Sequence, residues 1–129
     1  MKTLIVCAAV IRREGKVLLA QRKNSGAQGL LWEFPGGKLI SGESPEECLV
    51  REIKEELDMD IIVEEVFQIV SHFYQADTQI LLLAYLCKHL KGEGKALDCH
   101  DFHWVDIGNL KEYELAAADI PILNKLVGA

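Results

Sequence analysis

The chain has 129 residues and a net charge of −6; half its residues are hydrophobic and 26% are charged. That length suits one folded domain with a substantial core, spanning 1–129. No apolar run is long enough to cross a bilayer, which excludes a membrane partner, and the acidic balance argues against a nucleic acid polymer as partner.

In chain order, Leu4–Ile11 reads as a strand. Lys2 with Thr3–Ile11 has the outline of a secretory signal. The apolar stretch is short and runs into Arg12-Arg13-Glu14 with no small-x-small cleavage site, so a buried strand is the better reading. Arg12–Lys16, with Gly15, forms a turn, and Val17–Gln21 completes a hairpin. Arg22–Gly29 is a polar loop, and Leu30–Phe34 leads into Pro35-Gly36-Gly37.

Ser44-Pro45-Glu46-Glu47 fits a capping box with proline at the first helical position. The helix should run to Leu57 or Asp58. At about 100° per residue, Leu49, Val50, Ile53 and Leu57 make an apolar face. Beyond it, Val63–Tyr74 and Gln79–His89 are strands joined through Gln75, Ala76 and Asp77. Lys91–Lys95 is a turn with Gly92 and Gly94; Phe102–Val105 is a short strand, and Ile107–Leu110 a helical turn. A last helix should span Ile120–Val127 and stop at Gly128. Strands around a central helix, with another helix at the end, imply a mixed α/β domain.

Cys7, Cys48, Cys87 and Cys99 lie at wide, irregular spacings and read as reduced thiols, which points to a cytoplasmic protein. Cys99, His100 and His103 cluster in sequence, but their spacing matches no standard zinc site.

Glu52, Glu55 and Glu56 are i,i+3 and i,i+4 neighbours on one flank of the first helix. Like charges at that spacing cost a few tenths of a kcal/mol per pair on a bare helix, by rough estimate. A hard divalent cation reverses the sign, and Mg²⁺ suits a few carboxylates plus substrate phosphates. Arg51 is placed to orient and partly neutralise them. The alternative is a solvated acidic face.

Gly37, five residues, Glu43, seven residues, then Arg51-Glu52-Ile53-Lys54-Glu55-Glu56-Leu57-Asp58-Met59 resembles the box of the Nudix hydrolases. It departs only at Asp58, where that family has glycine. The glycine lies just past the helix, where a left-handed residue is often needed, and aspartate tolerates that conformation better than most residues.

The resemblance implies a Nudix α/β/α sandwich, with a mixed sheet and a loop–helix–loop box. Trp32-Glu33-Phe34-Pro35-Gly36-Gly37-Lys38 and Leu115–Pro121 resemble the MutT-like branch, which cleaves nucleoside triphosphates to monophosphate and pyrophosphate. It therefore implies a Mg²⁺-dependent hydrolase of a small-molecule nucleotide, with Mn²⁺ as a substitute. Glu52, Glu55 and Glu56 match the metal-binding carboxylates, with Gly37 offering a backbone carbonyl. Glu43 and Arg51 match the rest of the catalytic box, and the sequence leaves open which glutamate is the general base.

Asp98 lies six positions before Trp104, where the family carries an acidic metal ligand or base; a plain loop aspartate is the alternative. Arg22, Phe34, Lys38 and Asp119 match substrate contacts. Lys38 would bind phosphate, hold the loop or stand exposed without a role. Asp119 either reads the base or caps the last helix. An ionised carboxylate only accepts hydrogen bonds, from guanine N1–H and 2-amino or cytosine 4-amino groups.

These matches favour 8-oxo-dGTP hydrolysis, a nucleotide-pool form of DNA repair, with CTP or 5-methyl-dCTP as the alternative. Gln75 lacks the proline that the ADP-ribose branch carries there. A noncatalytic nucleotide sensor is the other class, but such modules often lose box carboxylates that are all present here. Monomer and homodimer both stay open.

Overall fold

The computed structural model describes residues 1–128. Strand β1 (Lys2–Arg13) is the axis of the fold. It runs parallel to β6 (Thr78–Lys91) from Lys2–Thr78 to Arg12–Lys88, and β6 pairs antiparallel with β5 (Asp60–Tyr74). At its far end β1 turns into β2 (Lys16–Gln21), which pairs along its length with β7 (Asp101–Asp106). Two short strands complete the mixed sheet. β3 (Trp32–Glu33) joins β2, and β4 (Gly36–Lys38) joins β1 opposite Val6–Ala8.

Successive side chains on a strand point to opposite faces. Cys7, Ala9 and Ile11 enter one core with Leu18, Tyr85 and Cys87, beneath helix α1 (Pro45–Leu57). Ala8 and Val10 enter the other with Val17, Leu19, Leu82 and Ala84. That side is covered by 3₁₀ turns at Ile107–Glu112 and Ala117–Asp119, and by helix α2 (Ile120–Leu126). Burial on both faces explains the unbroken apolar run in β1.

Helix α1 starts as expected: Ser44 Oγ accepts from Glu47 N at 3.1 Å, and Glu47 Oε1 accepts from Ser44 N at 2.8 Å. It ends at Asp58, which adopts the left-handed conformation with φ 54° and ψ 44°. Cys48, Leu49, Ile53 and Leu57 are fully buried, Leu49, Ile53 and Leu57 contributing about 1.5–3 kcal/mol each. Val50 corrects the expected apolar face. It stands about 100° beyond Leu49 and is 46% exposed.

β5 and β6 are longer than their sequence signals because each supplies the other's ladder out to Asp60–Lys91. The two glycine-region strands had no periodic signal. Gly36 is dictated by packing: a Cβ there would lie 1.9 Å from the Cys7 carbonyl oxygen. Among the described residues, no helix is long and apolar enough to cross a membrane.

Candidate active site

Arg51 is the hub of the acidic flank. Its Nε and Nη2 donate to Glu43 Oε2 and Oε1 at 3.0 and 2.7 Å, a bidentate grip. Its Nη1 donates to Glu52 Oε1 at 2.7 Å and Glu55 Oε2 at 3.2 Å. Nη2 also reaches the Lys38 carbonyl at 3.3 Å. Glu43 Oε1 accepts from Ile40 N at 3.1 Å, so one guanidinium ties the loop after β4 to the helix. The Arg51 grip holds the Glu43 carboxyl down at about 2.

Glu52, Glu55 and Glu56 differ in exposure. Glu55 faces solvent, Glu52 is half-buried, and Glu56 is only 8% exposed. Burial pushes the Glu56 carboxyl up to about 9, with Glu33, Glu52 and Asp98 adding repulsion and the Gly36 backbone opposing. Burial also raises Glu52, against the pull of Arg51. Gly37 sits against this group: a Cβ there would be 1.9 Å from Glu52 Oε2. The Gly37 carbonyl accepts from Cys48 Sγ at 3.7 Å.

Among the described residues, no three His, Cys, Asp or Glu side chains already converge as a closed metal cage. Arg51 holds Glu52 and Glu55 in ion pairs instead. The donor set still fits a hard divalent cation. It is all oxygen, and it includes a buried carboxyl crowded by three other acids and a glycine gap beside Glu52.

Asp98 borders a cavity of about 400 Å³ with Glu33, Glu52, Glu56, Arg22 and Lys23. Its backbone N donates to the Glu56 carbonyl at 3.2 Å, and its side chain contacts Lys23. Cys99 flanks this cavity, with its thiol held near 11 by burial. His103 turns away, bonding Asp101 and Tyr113.

Two further cavities adjoin this one, sharing Arg22 and Glu33 with it. One, of about 290 Å³, is bordered by Phe34, Lys38 and Asp119. The other, of about 280 Å³, lies over Val6, Ile80 and Leu82 beside His72, Tyr74 and Ala116–Ala118. Arg22 Nη1 donates to Glu33 Oε1 at 2.9 Å, and both residues border all three cavities. Phe34 is 3% exposed and belongs to the core under the cavity.

Asp119 is 6% exposed, and its Oδ2 accepts from Phe34 N at 2.8 Å. Its side chain makes no bond to α2, so helix capping does not account for it. Burial pushes its carboxyl up to about 7, with Glu33 adding and Phe34 N–H and Arg22 opposing.

Glu33, His72 and Tyr74 also border these cavities, and the sequence alone does not single them out. Glu33 was visible only as a letter in the Trp32–Lys38 string. His72 and Tyr74 alternate along a strand, and nothing local distinguishes that face from any other.

A family profile described as NUDIX domain matches residues 6–125. A CTP pyrophosphohydrolase of Escherichia coli is 40% identical over 124 residues, covering 95% of this chain and 90% of the relative. An 8-oxo-dGTP diphosphatase of Proteus vulgaris is 38% identical over 93 residues, covering 71% of this chain and 82% of that one. The solution structure of the Escherichia coli ORF135 protein superposes with a TM-score of 0.88 at 37% identity, covering 99% of this chain and 91% of the other.

Proposed function

The chain belongs to the NUDIX domain family and is a nucleotide pyrophosphohydrolase, and on that premise we propose its substrate and the roles of its residues. The substrate is a nucleoside triphosphate, cleaved to the monophosphate and pyrophosphate. 8-oxo-dGTP is the first candidate, as for the Proteus vulgaris relative.

The observation that supports this reading is the adjacency of the cavities. An apolar slot over Val6, Ile80 and Leu82, with Asp119 at its wall, joins the carboxylate pocket at Arg22 and Glu33. A base fits the slot, and a phosphate chain then extends toward Glu52 and Glu56.

Glu52, Glu55 and Glu56, with the Gly37 carbonyl and Asp98, would hold a divalent cation, Mg²⁺ with Mn²⁺ as substitute. That cation supplies charge neutralisation on the phosphates and acidifies water. Arg51 aligns Glu52 and Glu55 and locks Glu43 under the loop. Arg22 and Lys38 face the phosphate chain from the shared cavity. Phe34 fixes Asp119 through its backbone N–H, leaving Asp119 Oδ1 for the base.

A second reading, CTP or 5-methyl-dCTP, rests on Asp119. As a carboxylate it only accepts, which suits the cytosine 4-amino group, and the Escherichia coli relative is a CTP pyrophosphohydrolase. A panel of 8-oxo-dGTP, dGTP, CTP, 5-methyl-dCTP and ADP-ribose with Mg²⁺ separates the readings. A kcat/KM preference for 8-oxo-dGTP over dGTP supports the first. A cytosine preference moves Asp119 to the 4-amino group.

A further inference from the structure

The hairpin joining β1 and β2 carries a second concave site, at the opposite end of both strands from the Glu33–Asp119 cavities. It has a volume of about 490 Å³ and shares no bordering residue with the three cavities of the candidate active site. Four cations border it: Arg12, Arg13, Lys16 and Lys88.

The sheet register sets these cations against one another. Arg12 lies opposite Lys88 across the parallel ladder, and Arg13 opposite Lys16 across the hairpin. Like charges directly opposite destabilise a sheet. One pair is relieved within the protein, because Glu64 lies 3.4 Å from Arg12 and 3.6 Å from Lys88. The other is not. Among the described residues neither Arg13 nor Lys16 forms an ion pair. Asp106 faces Lys16 in the β2–β7 register, and Glu14 borders the cavity, yet neither is within ion-pair distance of a cation.

Arg13 is also held in place. Its guanidinium carbon sits 4.2 Å from the Trp104 ring centroid. Trp104 is braced edge-on by His89 at 5.6 Å, and His89 Nε2 bonds the Gly92 carbonyl at 2.6 Å. Among the described residues no side-chain hydrogen bond engages the Arg13 guanidinium, and its planar fork of N–H donors matches phosphate oxygens. Four cations in one hollow of a chain with net charge −6 set this spot apart from the rest of the surface.

We propose that the Arg13–Lys16 hollow at the β1–β2 hairpin is an accessory binding site for a small phosphate-bearing anion, separate from the nucleotide pocket. Two sources share this chemistry: free inorganic phosphate or pyrophosphate, and the phosphate tail of a nucleotide. The hollow offers one unpaired cation pair, which suits a single mono- or diphosphate group rather than a polymer backbone.

The test is a titration of ¹⁵N-labelled protein with inorganic pyrophosphate, in chelator and without divalent metal. The indole N–H of Trp104 and the Nε–H of Arg13 are the reporters, with the Trp32 indole as internal comparison. The expected result is a saturating shift at Trp104 and Arg13. Arg13→Gln and Lys16→Gln should each weaken it roughly tenfold, the loss of one charged hydrogen bond, with the rest of the spectrum and turnover unchanged. A parallel titration with a non-hydrolysable nucleoside triphosphate distinguishes the sources. Tighter binding than pyrophosphate assigns the site to the nucleotide tail, and equal binding assigns it to the free anion. The proposal is overturned by shifts that never saturate, that persist in both variants, or that occur only around Arg22, Lys23 and Lys38. It is equally overturned if an oligonucleotide shifts Trp104 and pyrophosphate does not.

Discussion

Arg51 holds Glu43 by two parallel hydrogen bonds, Nε to Oε2 at 3.0 Å and Nη2 to Oε1 at 2.7 Å, and through that grip the loop after β4 is fastened to helix α1. The remaining guanidinium edge reaches Glu52 and Glu55. Lysine keeps the charge but cannot make this fork. Arg51→Lys should therefore lower kcat/KM and the apparent Mg²⁺ affinity by about 10–100-fold, the usual effect of losing a partner that orients ligands. Mg²⁺ titrations of turnover measure both; unchanged values would detach Arg51 from the site.

Gly37 offers a steric test of the same cluster. Alanine there would put a Cβ 1.9 Å from Glu52 Oε2 and 2.4 Å from its Cδ. Glu52 must move, so Gly37→Ala should lose activity by about 100-fold or more, as displacements of about 1 Å at a reacting site do. Gly108→Ala meets nothing within 4 Å and should leave turnover unchanged. Kinetics on the two variants, with circular dichroism to confirm folding, make the comparison.

Glu56 predicts a proton linkage. Its carboxyl is held at about 9 by burial among other acids, so it carries a proton at neutral pH. A cation ligand must give that proton up. Mg²⁺ binding at pH 7 should release protons, seen as a calorimetric enthalpy that varies with buffer ionisation enthalpy. Its affinity should rise with pH toward 9. Glu56→Gln should abolish the proton release. A buffer-independent enthalpy in the parent protein would contradict this.

The acidic face was legible because its spacing is local. Ser44, Glu47, Arg51, Glu52, Glu55 and Glu56 sit within four turns of one helix, and their geometry follows from 3.6 residues per turn. Asp58 also behaved as an aspartate past a helix end can. The cavity proposed for the base was not legible in the same way. It is assembled from β1, β5, β6 and the 3₁₀ turn at Ala117–Asp119, which are far apart in sequence. Glu33 depends on a two-residue strand held by Ala20 and Gln21 on one side and by a bridge from Trp32 to Leu115 on the other. The Asp119–Phe34 bond joins residues 85 apart, and no local pattern reports it.

Asp119 should make stability depend on pH with a definite sign. Its folded carboxyl is raised from an ordinary 3.8 to about 7 by burial. The folded state therefore holds a proton that the unfolded chain has released, and stability falls as pH rises from about 4 to about 7. The loss attributable to this group is on the order of 4 kcal/mol, since each of the roughly three pKa units is worth about 1.4 kcal/mol. Asp119→Asn keeps an acceptor for Phe34 N–H and removes the titration. Urea unfolding at pH 4 to 8 should give a flatter profile for the variant and higher stability than the parent at pH 8. The same variant should change the base preference, read as kcat/KM ratios across the nucleotide panel.

Hydrolysis of a nucleoside triphosphate between the α and β phosphates is read by ³¹P detection of the products of 8-oxo-dGTP and CTP under Mg²⁺, with enzyme in catalytic amount. Nucleoside monophosphate and pyrophosphate in equal amounts, with no nucleoside diphosphate, is the predicted result. Inorganic phosphate with a nucleoside diphosphate, or saturable nucleotide binding with no turnover, would contradict it.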